Sequence, residues 1–132
     1  MRRSAHRMDS GIPDDILQFI QTFIPSVWTI ELLLLMRHSP ERVWSARELD
    51  RELRGSPLIV SGALAKLIAA GLVVEEPGAF YRYQPARPGL GELMDLLARY
   101  YAEFPVTVTQ AILAAPNQQI RTFADAFRLK KD

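Results

Sequence analysis

Three arginines near the middle of this chain have the spacing of a single helix face. Arg47, Arg51 and Arg54 lie four and then three residues apart, which places their side chains on one side of an α-helix. Guanidinium groups in such a row can bind phosphate groups through charge-assisted hydrogen bonds. In the competing interpretation the helix has a solvated face, on which the arginines pair with the interspersed carboxylates Glu48, Asp50 and Glu52.

Other reactive groups are sparse. The chain has no cysteine, which excludes disulfides, thiol catalysis and thiolate metal sites. Its two histidines, His6 and His38, have no partner at ligand spacing, so we expect no metal site. Neither a glycine-rich phosphate loop nor a nucleophile with a plausible base is apparent. We therefore expect no enzymatic activity, no catalytic residue and no cofactor.

The composition is typical of one globular domain, with 132 residues of which 48% are hydrophobic and 23% charged. The net charge is only +1, so any binding to nucleic acid must depend on local clusters of basic residues. The most apolar run, Ile30–Met36, is far shorter than the ~20 residues that cross a bilayer. With no evident targeting segment, we expect a cytoplasmic protein that does not contact membranes.

The spacing of apolar residues and helix breakers predicts a mainly α-helical chain with one small β-hairpin. Residues 1–12 are predicted to be a flexible basic arm, and the first helix is predicted to begin near Pro13. The second helix, about Val27 to His38, is apolar around most of its circumference. We expect it to be a central core helix or to face a second subunit in part. Further helices are predicted over residues 89–130.

Residues 41–84 carry the most specific local signals. A Ser-Ala-Arg-Glu sequence at 45–48 has the spacing of a capping box and begins a helix that we expect to end at Gly55. A Ser-Pro pair at 56–57 begins the next helix, which is predicted to end at Gly71. A Glu-Pro-Gly-Ala turn then separates two short strands.

The sequence SARELDRELRGSPLIVSGALAKLIAAGLVV, residues 45–74, resembles bacterial winged helix-turn-helix regulators of the MarR and ArsR type. In those regulators the second helix of the unit ends in spaced leucines and an Ala-Gly-Leu-Val sequence that leads into the wing. The resemblance implies a winged-helix core at 41–84, with extra N- and C-terminal helices, in a single domain over 13–132. It also implies a DNA-binding transcriptional regulator, with the flanking helices forming a homodimer. The matching residues are Leu64, Lys66, Leu67, Ala70, Gly71, Leu72 and Val73.

The resemblance also assigns roles to individual residues. In this fold the first helix of the unit crosses the DNA backbone and the second enters the major groove. The wing contacts the phosphates or the minor groove beside it. In this chain the positions that correspond to these roles are basic or hydroxyl-bearing residues in the two helices and in the hairpin. The implied DNA-binding residues are Arg42, Arg47, Arg51, Arg54, Ser56, Ser61, Lys66, Arg82 and Arg87.

An alternative function follows from what the second helix lacks. With Val60, Leu64, Leu67 and Ile68 directed to the core, its outward face carries few groups that hydrogen-bond to bases. The first strand of the wing ends in two glutamates, which repel phosphate. The module would then bind a protein partner through an exposed apolar patch instead of DNA. A small-molecule sensor without DNA binding is a third hypothesis. The predicted patch is Leu58, Ile59, Gly62, Ala63 and Ala65.

Overall fold

The computed structural model of the chain describes residues 12–114. Over these residues the protein is mainly helical, with six helices and one small antiparallel sheet. The predicted arm at 1–11 and the predicted helix beyond 114 lie outside the described residues. Ile12, which the sequence assigned to the arm, is instead buried at 1% exposure. In chain order the elements are α1 (Asp14–Phe23), α2 (Val27–His38), β1 (Trp44–Ser45), α3 (Ala46–Leu53), α4 (Pro57–Ala69), β2 (Val73–Glu76), β3 (Phe80–Tyr83), α5 (Pro88–Glu103) and α6 (Pro105–Ala114).

The sheet has the strand order β1-β3-β2, and both strand pairs are antiparallel. The predicted hairpin is confirmed: Val73 lies opposite Tyr83 and Glu76 opposite Phe80. β1 adds a third strand, because Trp44 pairs with Tyr81 on the free edge of β3. This pairing fixes the chain immediately before α3 to the hairpin that follows α4.

α3 begins as its sequence predicts and ends differently. The Ser45 hydroxyl accepts a hydrogen bond from the Glu48 backbone N–H at 3.1 Å, and Glu48 Oε1 accepts one from the Ser45 N–H at 2.9 Å. The capping box is therefore confirmed. The helix ends through Arg54, which has the left-handed conformation φ 59°, ψ 36° and donates its N–H to the Asp50 carbonyl at 2.8 Å. The predicted end at Gly55 is wrong by one residue, because an arginine adopts the conformation expected of the glycine.

α4 is defined at both ends by local hydrogen bonds, as predicted. The Ser56 hydroxyl accepts from the Ile59 N–H at 3.2 Å, and Pro57 is the first helical residue. At the other end the N–H of Gly71 donates to the carbonyl of Ile68, and that of Leu72 donates to Leu67, both at 3.0 Å. Gly71 has φ +79°, a conformation that strains residues with a side chain. The chain can therefore reverse directly from α4 into β2.

α2 is the central helix of the described core. Ile30, Leu32, Leu33 and Met36 are all fully buried among residues of the other helices. The exception is Trp28 in its first turn, which is 39% exposed. The prediction of a core helix is therefore confirmed, and only the amino-terminal end of α2 presents a large apolar side chain to solvent.

Two polar contacts join α2 to α5. Arg37 pairs with Asp95 at 2.8 Å, and the Tyr101 hydroxyl donates a hydrogen bond to Glu31 at 2.6 Å. Burial, followed by this hydrogen bond, raises the pKa of Tyr101 to about 12, so the phenol stays protonated and keeps donating. Within residues 12–114 no single helix is long and apolar enough to span a membrane; α1 and α2 meet the length and composition criteria only as a pair bent by 109°.

Candidate nucleic-acid interface

The three arginines of the predicted stripe are exposed on α3 and its end. Arg47 and Arg51 lie opposite Leu49, which is fully buried, so packing of that leucine turns both arginines toward solvent. Arg54 follows at the turn into α4 and is also exposed. Among the described residues none of these three arginines makes an ion pair. The charges predicted to form a stripe are therefore available to an external anion.

The neighbouring carboxylates do not pair with the stripe. Glu48 is held by the cap of α3, and its other oxygen lies 3.8 Å from Arg42. Asp50 has one carboxylate oxygen that is buried and without a hydrogen bond among the described residues. Glu52 is exposed and makes no ion pair within the described part of the chain. Within residues 12–114 these carboxylates therefore form no direct ion pair with the arginines, although the helix face is solvent-exposed as the competing interpretation expects.

Arg42, which was predicted to act with the stripe, is already engaged. Its guanidinium carbon lies 3.6 Å from the centre of the Trp44 ring, a cation–π contact, and the charge is shared with Glu48. Because Trp44 is buried at 2% exposure, the contact fixes Arg42 on the surface just before α3. Its side chain remains 46% exposed and can still bind an anion. The binding free energy should be smaller than for the unpaired arginines, because Arg42 already interacts with Glu48.

The outward face of α4 differs from its prediction at two positions. Ala63 is only 4% exposed, because it lies three residues after Val60 and four before Leu67 on the core side of the helix. Its assignment to the exposed patch is therefore wrong. Ile68, predicted to face the core, is 38% exposed at the edge of the buried face. Of the remaining patch, Ile59 is half-buried, and the residues exposed as predicted are Leu58, Gly62 and Ala65.

The polar residues assigned to α4 are exposed but few. Ser61 and Lys66 face solvent, and Lys66 makes no ion pair among the described residues. The oxygen of Ser56 accepts the capping hydrogen bond of the helix, which leaves its hydroxyl proton free to donate to another group. α4 therefore offers one positive charge and two hydroxyl groups to a ligand, and the rest of its outward surface is apolar.

An open groove of about 440 Å³ runs between α4 and the amino-terminal end of α2. Its lining is mainly apolar and includes Trp28, Leu58, Ile59 and Gly62. Lys66 is the one charged side chain among the described residues that line it. The sequence did not predict this groove, because nothing in a linear pattern shows that Trp28 meets α4. The only available signal was a tryptophan in the first turn of an otherwise buried helix.

The hairpin does not carry the positive charge that the resemblance implies. Arg82 donates from Nε to Glu76 Oε2 at 2.9 Å, and its second nitrogen lies 2.5 Å from the same oxygen. The two residues face each other diagonally across β2 and β3, so their charges cancel. Glu75 is exposed and unpaired within the described chain, which leaves the strands net negative. Arg87, beyond β3, is exposed at the N-cap position of α5, where its side chain makes no capping hydrogen bond.

A metal site is not seen in the part of the chain that the structure describes, and a second cavity of about 430 Å³ lies between α1 and α5 with Asp15 and Arg87 among its lining residues. No group of three or more His, Cys, Asp or Glu side chains is placed to hold a metal ion there. Comparison of the chain with models of protein families, with curated proteins and with solved structures found no match. What the protein does must therefore be inferred from the surfaces described above.

Proposed function

We propose that this protein is a DNA-binding transcriptional regulator of the winged-helix type, in which α3 holds the DNA backbone. The element order supports the proposal: α2, α3 and α4 correspond to the three helices of such a domain, and β2 and β3 to its wing. The sheet order, with β1 on the outer edge of β3, also fits this fold. The tight turn between α3 and α4, residues 54–56, fits a helix-turn-helix pair.

The observation that carries the proposal is the set of unpaired arginines, two on α3 and one at the turn that follows it. An arginine that already pairs with a carboxylate must give up that partner before it binds a phosphate, which offsets most of the gain. Arg47, Arg51 and Arg54 have no such partner among residues 12–114. Each phosphate that they neutralise releases condensed counterions from the duplex, a gain that does not depend on sequence. Backbone binding through α3 therefore supplies much of the affinity.

A homodimer is the assembly that best fits this function. Two copies related by a twofold axis would place their α4 helices about one helical turn of DNA apart. Phe104 at the end of α5 is 50% exposed, and Val106 and Leu113, two turns apart on α6, are 67% and 62% exposed; self-association would cover these apolar side chains. Sedimentation equilibrium of the full chain tests this part of the proposal, and a monomer at high protein concentration would contradict it.

A second candidate function is a protein-interaction module, and the groove between α2 and α4 favours it. Leu58 is 81% exposed at its rim and adjoins the apolar side chains of the groove, and a contiguous apolar patch of this kind can mark a contact site where a single exposed leucine would not. In this alternative a helical segment of another protein would lie in the groove, and the arginines of α3 would be peripheral.

A salt-titrated binding assay separates the two functions. Fluorescence anisotropy of a labelled duplex of mixed sequence should show binding that weakens steeply between about 50 and about 200 mM salt. A second duplex from the region upstream of the protein's own gene tests for tighter, specific binding. Absence of binding to both duplexes at the lowest salt, together with specific capture of a protein partner, would contradict the proposal.

The Glu76–Arg82 pair provides a prediction about the wing. Glu76→Gln removes a charge that repels phosphate and also releases Arg82 from its intramolecular partner. We therefore expect the affinity for duplex DNA to rise by a few-fold, since one charge-assisted contact contributes about 1.5–3 kcal/mol and part of this is lost to side-chain ordering.

Glu75→Gln is the matched control for this prediction, because it removes the same charge from the neighbouring strand position without releasing an arginine. Anisotropy titrations should show a larger gain for Glu76→Gln than for Glu75→Gln. Equal gains would mean that Arg82 does not reach the DNA, and no gain from either variant would show that the wing lies away from it.

A further inference from the structure

We propose that the exposed face of α4 and the adjoining groove recognise the C5-methyl groups of pyrimidines in the major groove, above all those of thymine. This inference rests on the proposed DNA binding and adds the chemical feature of the DNA that α4 reads. Contacts between α3 and the DNA phosphates do not explain why the surface of α4 is apolar, and this inference addresses that surface.

The side chains available on α4 limit what it can read. Recognition of guanine, adenine or cytosine edges requires donors and acceptors, typically Arg, Lys, Asn, Gln, Asp or Glu. The most outward positions of α4 are instead Leu58, Gly62 and Ala65, and Ser61 and Lys66 are the polar groups beside them. An apolar side chain set against a hydrogen-bonding base edge leaves that edge without its water, which costs free energy. The thymine methyl is the apolar group that an unmodified major groove presents.

The shape of the site also fits a methyl group. A Cβ atom added at Gly62 would meet no atom within 4 Å, so the surface is open where a base edge would approach. Beside it the groove between Trp28 and Leu58 provides about 440 Å³ of mainly apolar space. The surface therefore has open, mainly apolar space in which a methyl group could be buried.

The charge around this surface indicates which ligand covers it. Lys66 lies in the groove wall, Arg54 precedes the first turn of α4, and no carboxylate is among the described residues that line the groove. A ligand that combines dense negative charge with regularly spaced apolar groups matches this arrangement. Duplex DNA with thymines in the major groove has both properties, whereas an apolar helix of a partner protein has only the second.

Four duplexes of about two helical turns test the proposal. One contains only A·T pairs, and in the second uracil replaces every thymine, which removes the methyl groups and keeps the phosphates and the hydrogen-bonding edges. The other two contain G·C pairs with cytosine or with 5-methylcytosine, which restores a methyl at the same position. We expect each methylated duplex to bind more tightly than its unmethylated counterpart, by about four-fold for each methyl group that is buried.

Two variants connect this preference with α4. Leu58→Ala should reduce the preference for the methylated duplex and leave the fold intact, because the side chain is 81% exposed. Leu96→Ala, the same change at a 39% exposed position on α5, is the matched control and should keep the preference. Similar affinity for all four duplexes would overturn methyl recognition and leave DNA binding in place. Absence of binding to all four would overturn both, and a Leu58-dependent interaction with a protein would then support the alternative function.

Discussion

Reversing two charges on α3, through Arg47→Glu with Arg51→Glu, is expected to weaken binding to any duplex on the order of 100-fold at physiological salt. Both side chains are exposed and without an ion-pair partner in the described chain, so the change breaks no internal contact there. Two charge-assisted phosphate contacts at about 1.5 kcal/mol each account for this factor. Anisotropy titrations on the mixed-sequence duplex measure it.

The matched control is Arg99→Glu on α5, an exposed arginine that likewise has no ion pair among the described residues. One reversal there should change affinity far less than either single reversal on α3, because Arg99 lies on α5 and not on α3 or α4. Equal losses at all three positions would indicate that only the net charge matters. In that case the assignment of the backbone contact to α3 would be wrong.

The second large effect concerns the two sides of α4. Leu67→Ala removes a side chain that is fully buried in the core and is expected to lower the free energy of unfolding by about 2–5 kcal/mol. Leu58→Ala is the same change on the same helix, but that side chain is 81% exposed, and we expect an effect within about 0.5 kcal/mol. Denaturant unfolding followed by circular dichroism measures both values.

This comparison bears on function as well as on stability. If Leu58→Ala costs little stability, then its effect on any ligand reports on contact at the surface of α4. A cost for Leu58→Ala close to that of Leu67→Ala would show that Leu58 is covered in solution. The groove would then be an internal or intersubunit surface, and α4 would not be free to enter DNA.

The sequence predicted the elements whose ends depend on local hydrogen bonds. The serines that cap α3 and α4 and the glycine that ends α4 act on backbone groups within a few residues, so their patterns are visible in the chain itself. The hairpin was predicted from the turn sequence between its strands, and the central position of α2 from the apolar residues around most of its circumference. The end of α3 could not be predicted in this way. Arg54 adopts the left-handed conformation there, although the glycine that follows it would adopt it more easily.

The errors on the candidate site come from tertiary contacts. The exception is Ala63, which was predicted on the outward face although its spacing from Val60 and Leu67 already places it against the core. That Arg82 is occupied by Glu76 depends on the register of β2 and β3, and the groove depends on Trp28 meeting α4. Arg47 and Arg51 could pair only if the carboxylates of Glu48 or Asp50 pointed toward them. The spacing of these residues in the sequence does not determine that orientation.

The central claim, that α3 binds phosphates, is tested most directly by the slope of log K against log salt concentration. We predict that Arg47→Ala with Arg51→Ala lowers the magnitude of this slope by about 1.8, since each phosphate contact contributes about 0.9. The slope counts displaced counterions, so a loss of folded protein does not imitate this change. A slope equal to that of the unaltered protein would contradict the claim, even if the affinity itself fell.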